Sequence, residues 1–300
     1  MKEQTNVQAG NFKLVDYCYL AGMLLPILAG ILLKILFTPA SSGIQVTGPM
    51  IFFTIPMPVQ DLPITESQVN SWLVVISITF LCLYLTHGIQ AVPHSKRQIV
   101  AEWIVEKTDH LVRENMGDFF MGFVPFIGAI LGLSAFSSLL SLFGLFPPTS
   151  DLNVVAGWAI MVFVLITHYK LKGGIVSYSK SFLEPTPVLL PINIISEFAT
   201  PVSMAFRHYG NVMSGSVVSV LVVAALQGLS NMLLGWLPGF LGEIPFLQVG
   251  LPAILSVYFD LFSGCLQAFI FAMLTMMYVS GGFPKEDYER KMARKAAKNQ

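Results

Sequence analysis

Charge is what this chain has least of. Only 11% of its 300 residues are Asp, Glu, Lys or Arg, while 54% are apolar; soluble domains carry about 25% charged residues. So few charges could not cover a soluble fold of this size. With a mean hydropathy of +0.69, the composition points to an integral membrane protein. Neither sign dominates, since 17 basic residues balance 17 acidic ones. That argues against the basic surplus of a nucleic-acid binder and the acidic tract of a disordered tail. Cysteine is scarce as well. Cys18, Cys82 and Cys265 stand alone in apolar stretches with no Cys-x-x-Cys pair, so neither a disulfide framework nor a zinc site is expected. They read as buried core residues. There is no Gly-x-x-x-x-Gly-Lys-Ser/Thr run either, and so no nucleotide site of that type. No cofactor and no metal are expected.

What the chain does have is long apolar runs. A membrane helix needs about 20 mostly apolar residues. Runs rich in Leu, Ile, Val, Phe, Gly and Ala occupy 17–37, 71–89, 120–146, 153–169, 188–226 and 247–281. They are continuous rather than alternating, which favours helices over a β-barrel. The fold class expected is an all-α polytopic membrane protein with about six membrane helices. The last two runs are too long to cross upright: 188–226 would span about 58 Å as helix, against a hydrocarbon core of about 30 Å. A long, tilted C-terminal helical hairpin is expected over 188–281, kinked or interrupted at Pro201.

The basic residues set the topology. Lys2 and Lys13 precede the first run, and Lys34 near its far end can snorkel to the interface. No Lys or Arg occurs from 35 to 95. Lys96, Arg97, Lys107 and Arg113 follow, then Lys170, Lys172 and Lys180, and finally a basic tail from Lys285. Because basic loops face the cytoplasm, six spans with both termini inside satisfy the pattern. A cleaved signal peptide is the alternative for the first run, but that run is longer than the usual 7–15 apolar residues. The segment 96–117 differs. Ile99, Trp103, Ile104, Thr108 and Val112 fall near one helical face, with most charges elsewhere, as in an amphipathic helix lying on the membrane surface. His94 and His110 belong to this solvated region.

Arg207 is the most informative residue. It is the one basic side chain between 181 and 284 and falls mid-run, where a charge costs about 3 kcal/mol on insertion scales. Ser203, Asn211 and Ser214 follow its helical face at i−4, i+4 and i+7. Glu197 lies ten residues earlier, about 15 Å toward the cytoplasmic end. On the last run Asp260 and Gln267 share a face that Tyr278 extends, and Gln267 falls near the level of Arg207. An inner acid, a central cation and an outer acid separate two half-pathways. A fixed cation in the middle blocks direct passage and favours loss of a proton from any carboxylate brought beside it. Asp151 and Asn153 open the fourth run, either as a helix cap or as the start of an entry path. Glu184 and Glu243 sit near interfaces and read as solvated. His208, about 100° around the helix from Arg207, reads as structural.

These residues resemble a known family. PINIISEFATPVSMAFRHYGNVMSG (191–215) is similar to the signature of subunit a of F-type ATP synthases, with its Pro-x-Asn, its acid, Pro-x-Ser and Arg-x-x-Gly-Asn. CLQAFIFAMLTMMYVS (265–280) resembles that family's final helix, and PTSDLNVVAGWA (148–159) a third block. The resemblance runs from about 70 to 281, so residues 71–300 read as the family core and 1–70 as an extra N-terminal helix with an outer segment. It implies an ion-translocating stator without a catalytic site of its own. Implied partners are a ring of c subunits, peripheral-stalk b subunits, the soluble ATPase sector and the lipid bilayer, in a bacterial plasma (inner) membrane. Arg207 would be the essential arginine, Gln267 its partner from the last helix, Asn211 and Asp260 part of the outer half-channel, and Glu197 part of the inner one. The chain departs from the family at Thr200, where a basic residue is usual, and at Ser216, where some members carry Glu. It also has Asp260 for a His and His208–Tyr209 for Leu-Phe. Asp260 is expected to serve for both acid and His. A free-standing transporter would instead predict repeated broken helices, and an intramembrane enzyme a nucleophile with its base or a metal set. The sequence has neither.

Overall fold

The computed structural model describes residues 14–37, 48–58, 60–91, 95–172, 174–183, 186–234, 250, 254–255, 257–286 and 288–290. His94, Glu184 and Glu243 lie outside them. Among the described residues six helical stretches are long and apolar enough to cross a membrane: Leu14–Phe37, Glu66–Thr86, Asp118–Phe143, Leu152–Lys172, Pro187–Leu233 and Val257–Gly281. The elements are α1 (Leu14–Phe37), a hairpin of β1 (Ile51–Ile55) and β2 (Leu62–Thr65), α2 (Glu66–Thr86), α3 (Lys96–Met116), α4 (Val124–Leu139), α5 (Leu152–Lys172), the short α6 (Ile175–Ser181), α7 (Leu190–Leu234) and α8 (Gly264–Gly281). A wide π-helical turn, Val257–Ser263, leads into α8.

The chain is antiparallel from span to span, so the Lys and Arg residues of α3, α5 and α6 collect at one end, here the basic end. The apolar core packs the second half of α3 against α4, α5, α7 and α8 through residues such as Val112, Ile127, Val162, Met204, Phe271 and Met276. At the basic end Phe119 stacks on Phe283, centroids 4.6 Å apart. The approach is closest where side chains are smallest. A Cβ on Gly264 would collide with the Ser138 side chain, so α8 meets α4 at backbone distance. The β-hairpin at the far end runs antiparallel, with Ile55 opposite Leu62 and a register shift between Ile51 and Phe53.

The surface helix forms as expected, capped by Ser95, whose side chain accepts from the Gln98 N–H. Its apolar face divides in two. Ile99, Trp103 and Ile104 are exposed, whereas Val112 is fully buried against the bundle. The first half has an apolar flank for lipid, and the second half is anchored in protein.

Three expectations change. α2 starts at Glu66 rather than 71, because its polar first turn is buried and partnered. Glu66 accepts from the Phe146 N–H at 3.3 Å, and Asn70 Nδ2 donates to the Phe146 carbonyl at 2.8 Å. α7 continues through Pro201 as one 45-residue helix. The missing proline N–H costs one backbone bond, which the rest of so long a helix absorbs. At about 68 Å it exceeds twice the hydrocarbon thickness and must lie strongly inclined. The three cysteines are exposed on the chain's surface rather than buried. In a membrane protein apolar residues face lipid as readily as core, so apolar context does not imply interior.

α1 is no loose appendage. It packs along α2, where a Cβ on Gly22 would strike the Phe80 ring. Asp16, 4% exposed, forms an ion pair with Arg97 at the basic end. At the far end Lys34 Nζ lies 3.4 Å from Glu66 and donates to the Gly144 carbonyl at 2.6 Å.

Candidate functional site

The polar stripe of α7 faces outward. Arg207, Ser203 and Ser214 are exposed, flanked by exposed Val202 and Phe206. Among the described residues nothing forms a hydrogen bond or ion pair with the Arg207 guanidinium. Ser214 Oγ turns back to the Asn211 carbonyl at 3.1 Å. Asn211 is half-buried and donates from Nδ2 to Ser263 Oγ at 2.9 Å, tying α7 to the turn before α8. Asp260 belongs to that wide turn; its side chain lies outside the described residues. Turns of this kind inside helices recur at functional positions.

Opposite the stripe, His208 is fully buried. Its ring meets Phe271 at 5.5 Å and Trp158 at 6.1 Å. Nε2 lies 3.4 Å from Ser134 Oγ, while Nδ1 has no protein partner among the described residues. This packing fixes the His208 ring inside the bundle. It also brings Phe271, one turn beyond Gln267, alongside Arg207's helix. Gln267 thus lies near the level of Arg207, but it is 4% exposed and points into the bundle. No hydrogen bond joins the two. At that shared level Arg207 is exposed and Gln267 is buried.

Glu197 has partners that spacing did not suggest. Its Oε2 lies 2.6 Å from Lys170 Nζ at the end of α5, with side chains 12% and 25% exposed respectively. Tyr178 of α6 offers its hydroxyl to Oε1 at 3.5 Å, at the long edge of hydrogen-bond length. Burial pushes the Tyr178 pKa up, and the Glu197 charge and hydrogen bond push the same way. Around the pair open a cavity of about 370 Å³ and a second of about 260 Å³, the latter lined by Tyr178's neighbour Glu197 and by Tyr278. In the sequence Lys170 is only a topology marker, and nothing singles out Tyr178. Their partner lies 27 and 19 residues away, on another helix, so no local pattern carries the pairing.

At the far end Asp151 caps α5, Oδ1 accepting from the Asn153 backbone N–H at 2.9 Å, as an N-cap carboxylate does. Oδ2 accepts from Ser67 Oγ. Asn153 itself is exposed. Thr149 and Ser150 beside them carry buried hydroxyls with no partner among the described residues, the usual setting for bound water. Asp151 and Asn153 thus precede by about one helical turn Val155, which is buried with Ala205 of α7 beside Arg207, and they lie toward the opposite end from Glu197. Among the described residues no group of three or more His, Cys, Asp or Glu could hold a metal ion; His110 instead lies 3.2 Å from Glu114 on the exposed side of α3.

Fold and site together define a class: a polytopic helical membrane protein whose inclined helix presents at the bundle surface an arginine with no partner among the described residues, with polar groups toward both ends. The ATP synthase A chain family matches residues 68–280. The sodium ion specific ATP synthase subunit a of Propionigenium modestum is 28% identical over 275 residues, covering 81% of this chain and 88% of the relative. Subunit a of Priestia megaterium is 33% identical over 235 residues, covering 74% and 94%. Subunit a 1 of Crocosphaera subtropica is 32% identical over 226 residues, covering 74% and 89%. The chain belongs to the ATP synthase A chain family, the membrane subunit a of F-type ATP synthases.

Proposed function

We propose that this chain is the ion-translocating stator of a bacterial F-type ATP synthase, carrying protons or sodium ions past a ring of c subunits. The observation that carries the reading is Arg207: exposed on a membrane helix and without a partner among the described residues. A buried or lipid-facing charge of this kind is expensive unless something meets it. A carboxylate on a neighbouring subunit would. As each ring carboxylate passes, the guanidinium favours its ionised form, so the carboxylate releases its ion before passing and reloads after. Arg207 thereby separates an outer path through Asp151, Asn153, Ser214, Asn211 and Asp260 from an inner one through Glu197 and Tyr278. Ser203 shapes the surface one turn from the arginine, and Gln267 stands at its level inside the bundle.

The remaining assignments follow. Peripheral-stalk b subunits and the soluble ATPase sector complete the complex, which sits in the bacterial plasma membrane. Both termini face the cytoplasm; the Asp16–Arg97 pair supports this by holding the start of α1 at the basic end. Residues 1–70 are an addition to a core of 71–300, and the α1 packing supports a retained helix over a cleaved signal. The test is Arg207→Ala in the intact complex. ATP-driven ion pumping into inverted vesicles should vanish while the complex still assembles. Native-like pumping by that variant would sink the mechanism.

A further inference from the structure

The two cavities at the basic end share a wall. Tyr178, Asn193 and Ser196 line the larger one, and Ile166, Thr200 and Tyr278 the smaller one. Lys170, Glu197, Gly281 and Gly282 line both. Thr200 follows Ser196 by one helical turn and precedes Arg207 by two, about 10 Å. The larger cavity is thus a vestibule at the basic end, and the smaller is a chamber on the way to Arg207. Where they meet stands the Lys170–Glu197 ion pair, 2.6 Å between charged atoms.

We propose that this ion pair is the gate of the inner ion path, with Lys170 as the positioning residue that closes it. The proposal rests on the stator reading above and names a residue which that reading did not use. Lys170 is suited to it: a point charge on a flexible four-carbon stem, partly desolvated, so that pairing is favoured but reversible. An ion arriving from the chamber binds Glu197 and neutralises it. Lys170 then loses its partner, its stem swings aside, and chamber and vestibule join. When the ion leaves to vestibule water, Glu197 regains its charge and Lys170 returns. For a proton, the only bond exchanged is the O–H on the Glu197 carboxyl. Tyr178 holds the other carboxylate oxygen, so Glu197 keeps its place while Lys170 moves.

Gly282 supports the same reading independently. A Cβ there would stand 3.0 Å from Lys170 Cε, 3.3 Å from Lys170 Cγ and 3.0 Å from the Tyr278 carbonyl oxygen. A side chain at 282 would press on the lysine stem and require it to give by a few tenths of an ångström. Gly282→Ala should displace the stem without removing charge.

The experiment uses the assembled complex in inverted vesicles, with Cys18, Cys82 and Cys265 replaced by Ser. A charged methanethiosulfonate is added to the exposed cytoplasmic face. Ser196→Cys, in the vestibule, should react quickly whatever stands at 170. Thr200→Cys, in the chamber, should react slowly beside native Lys170 or Lys170→Arg. It should react about tenfold faster beside Lys170→Gln, and measurably faster beside Gly282→Ala. If Lys170→Gln prevents assembly, Gly282→Ala carries the test. Equal Thr200→Cys rates in all backgrounds, with Ser196→Cys reactive, would overturn the gate and leave the stator reading to its own Arg207→Ala test. An inert Ser196→Cys would overturn the gate and the inner path together.

Discussion

α1 and α7 both carry charges through apolar surroundings, and they handle them in opposite ways. On α1, Asp16 is matched by Arg97 and Lys34 by Glu66, each on a neighbouring helix of the same chain. On α7, Glu197 is matched by Lys170, but Arg207 has no partner among the described residues. Asp16 and Lys34 stand in the first and last turns of α1, whereas Arg207 falls mid-helix, where a charge costs most. Where the chain supplies the counter-charge, the charge holds helices together. Where it does not, the charge faces outward and waits for another subunit. Pairing within the chain is what distinguishes a fastening from a working group.

The comparison breaks first at Arg207. Replacing it with Ala should cut coupled pumping to the level of vesicles without the complex and leave the amount of assembled complex unchanged. A loss of assembly with residual coupling would make Arg207 a fastening like the α1 charges. The mirror experiment is Arg97→Gln, which removes the guanidinium from buried Asp16. Removing one member of a buried ion pair costs about 3–5 kcal/mol, so a thermal-denaturation scan of the purified complex should show clear destabilisation. The double variant Asp16→Asn/Arg97→Gln should recover most of it, and pumping per assembled complex should stay near native in both.

Asp260→Asn and Asn153→Ala sharpen the account of the outer path. The first should slow ATP-driven transport several-fold, the second little, because Asn153 is exposed and joins the Asp151 cap through its backbone N–H, which Ala keeps. The reverse order in a vesicle-acidification or ion-uptake assay would move that path away from the turn before α8. Lys34→Met should fall below Arg97→Gln but above Asn211→Ala in the same melting scan: it takes the ammonium from Glu66, whose side chain is 5% exposed, while Glu66 keeps its hydrogen bond to the Phe146 N–H. Asn211→Ala should loosen the α7–α8 contact by about 0.6–1 kcal/mol, the worth of one interhelical hydrogen bond in a membrane; a melting shift as large as that of Arg97→Gln would contradict this.

Much of the fold was legible because it depends on short stretches. Apolar runs of membrane length identified all six spans, and the 3.6-residue period identified α3. The errors have one origin. The start of α2 was placed late because Glu66, Ser67 and Asn70 look like loop residues until their partners from Lys34, Asp151 and Phe146 are known. The cysteines were put in the core because hydropathy cannot tell a protein interior from lipid. Within the site, Arg207, Ser203 and Ser214 were correctly grouped on one face, since helical spacing alone decides that. Lys170 and Tyr178 were not found beside Glu197, and His208's aromatic surroundings of Trp158 and Phe271 were not visible at all.

By itself, then, the sequence determined that the chain lives in a membrane, where its helices cross, and that one arginine stands alone among the apolar residues of the long seventh helix. Hydropathy and helical period act over one or a few turns, so a linear string holds them. Only the tertiary structure decided which charges are matched. Asp16 meets Arg97 across 81 residues, and Lys170 meets Glu197 across 27. Such pairs form when small residues such as Gly264 and Gly282 let helices or side-chain stems come close, and that closeness depends on the packing of the whole bundle.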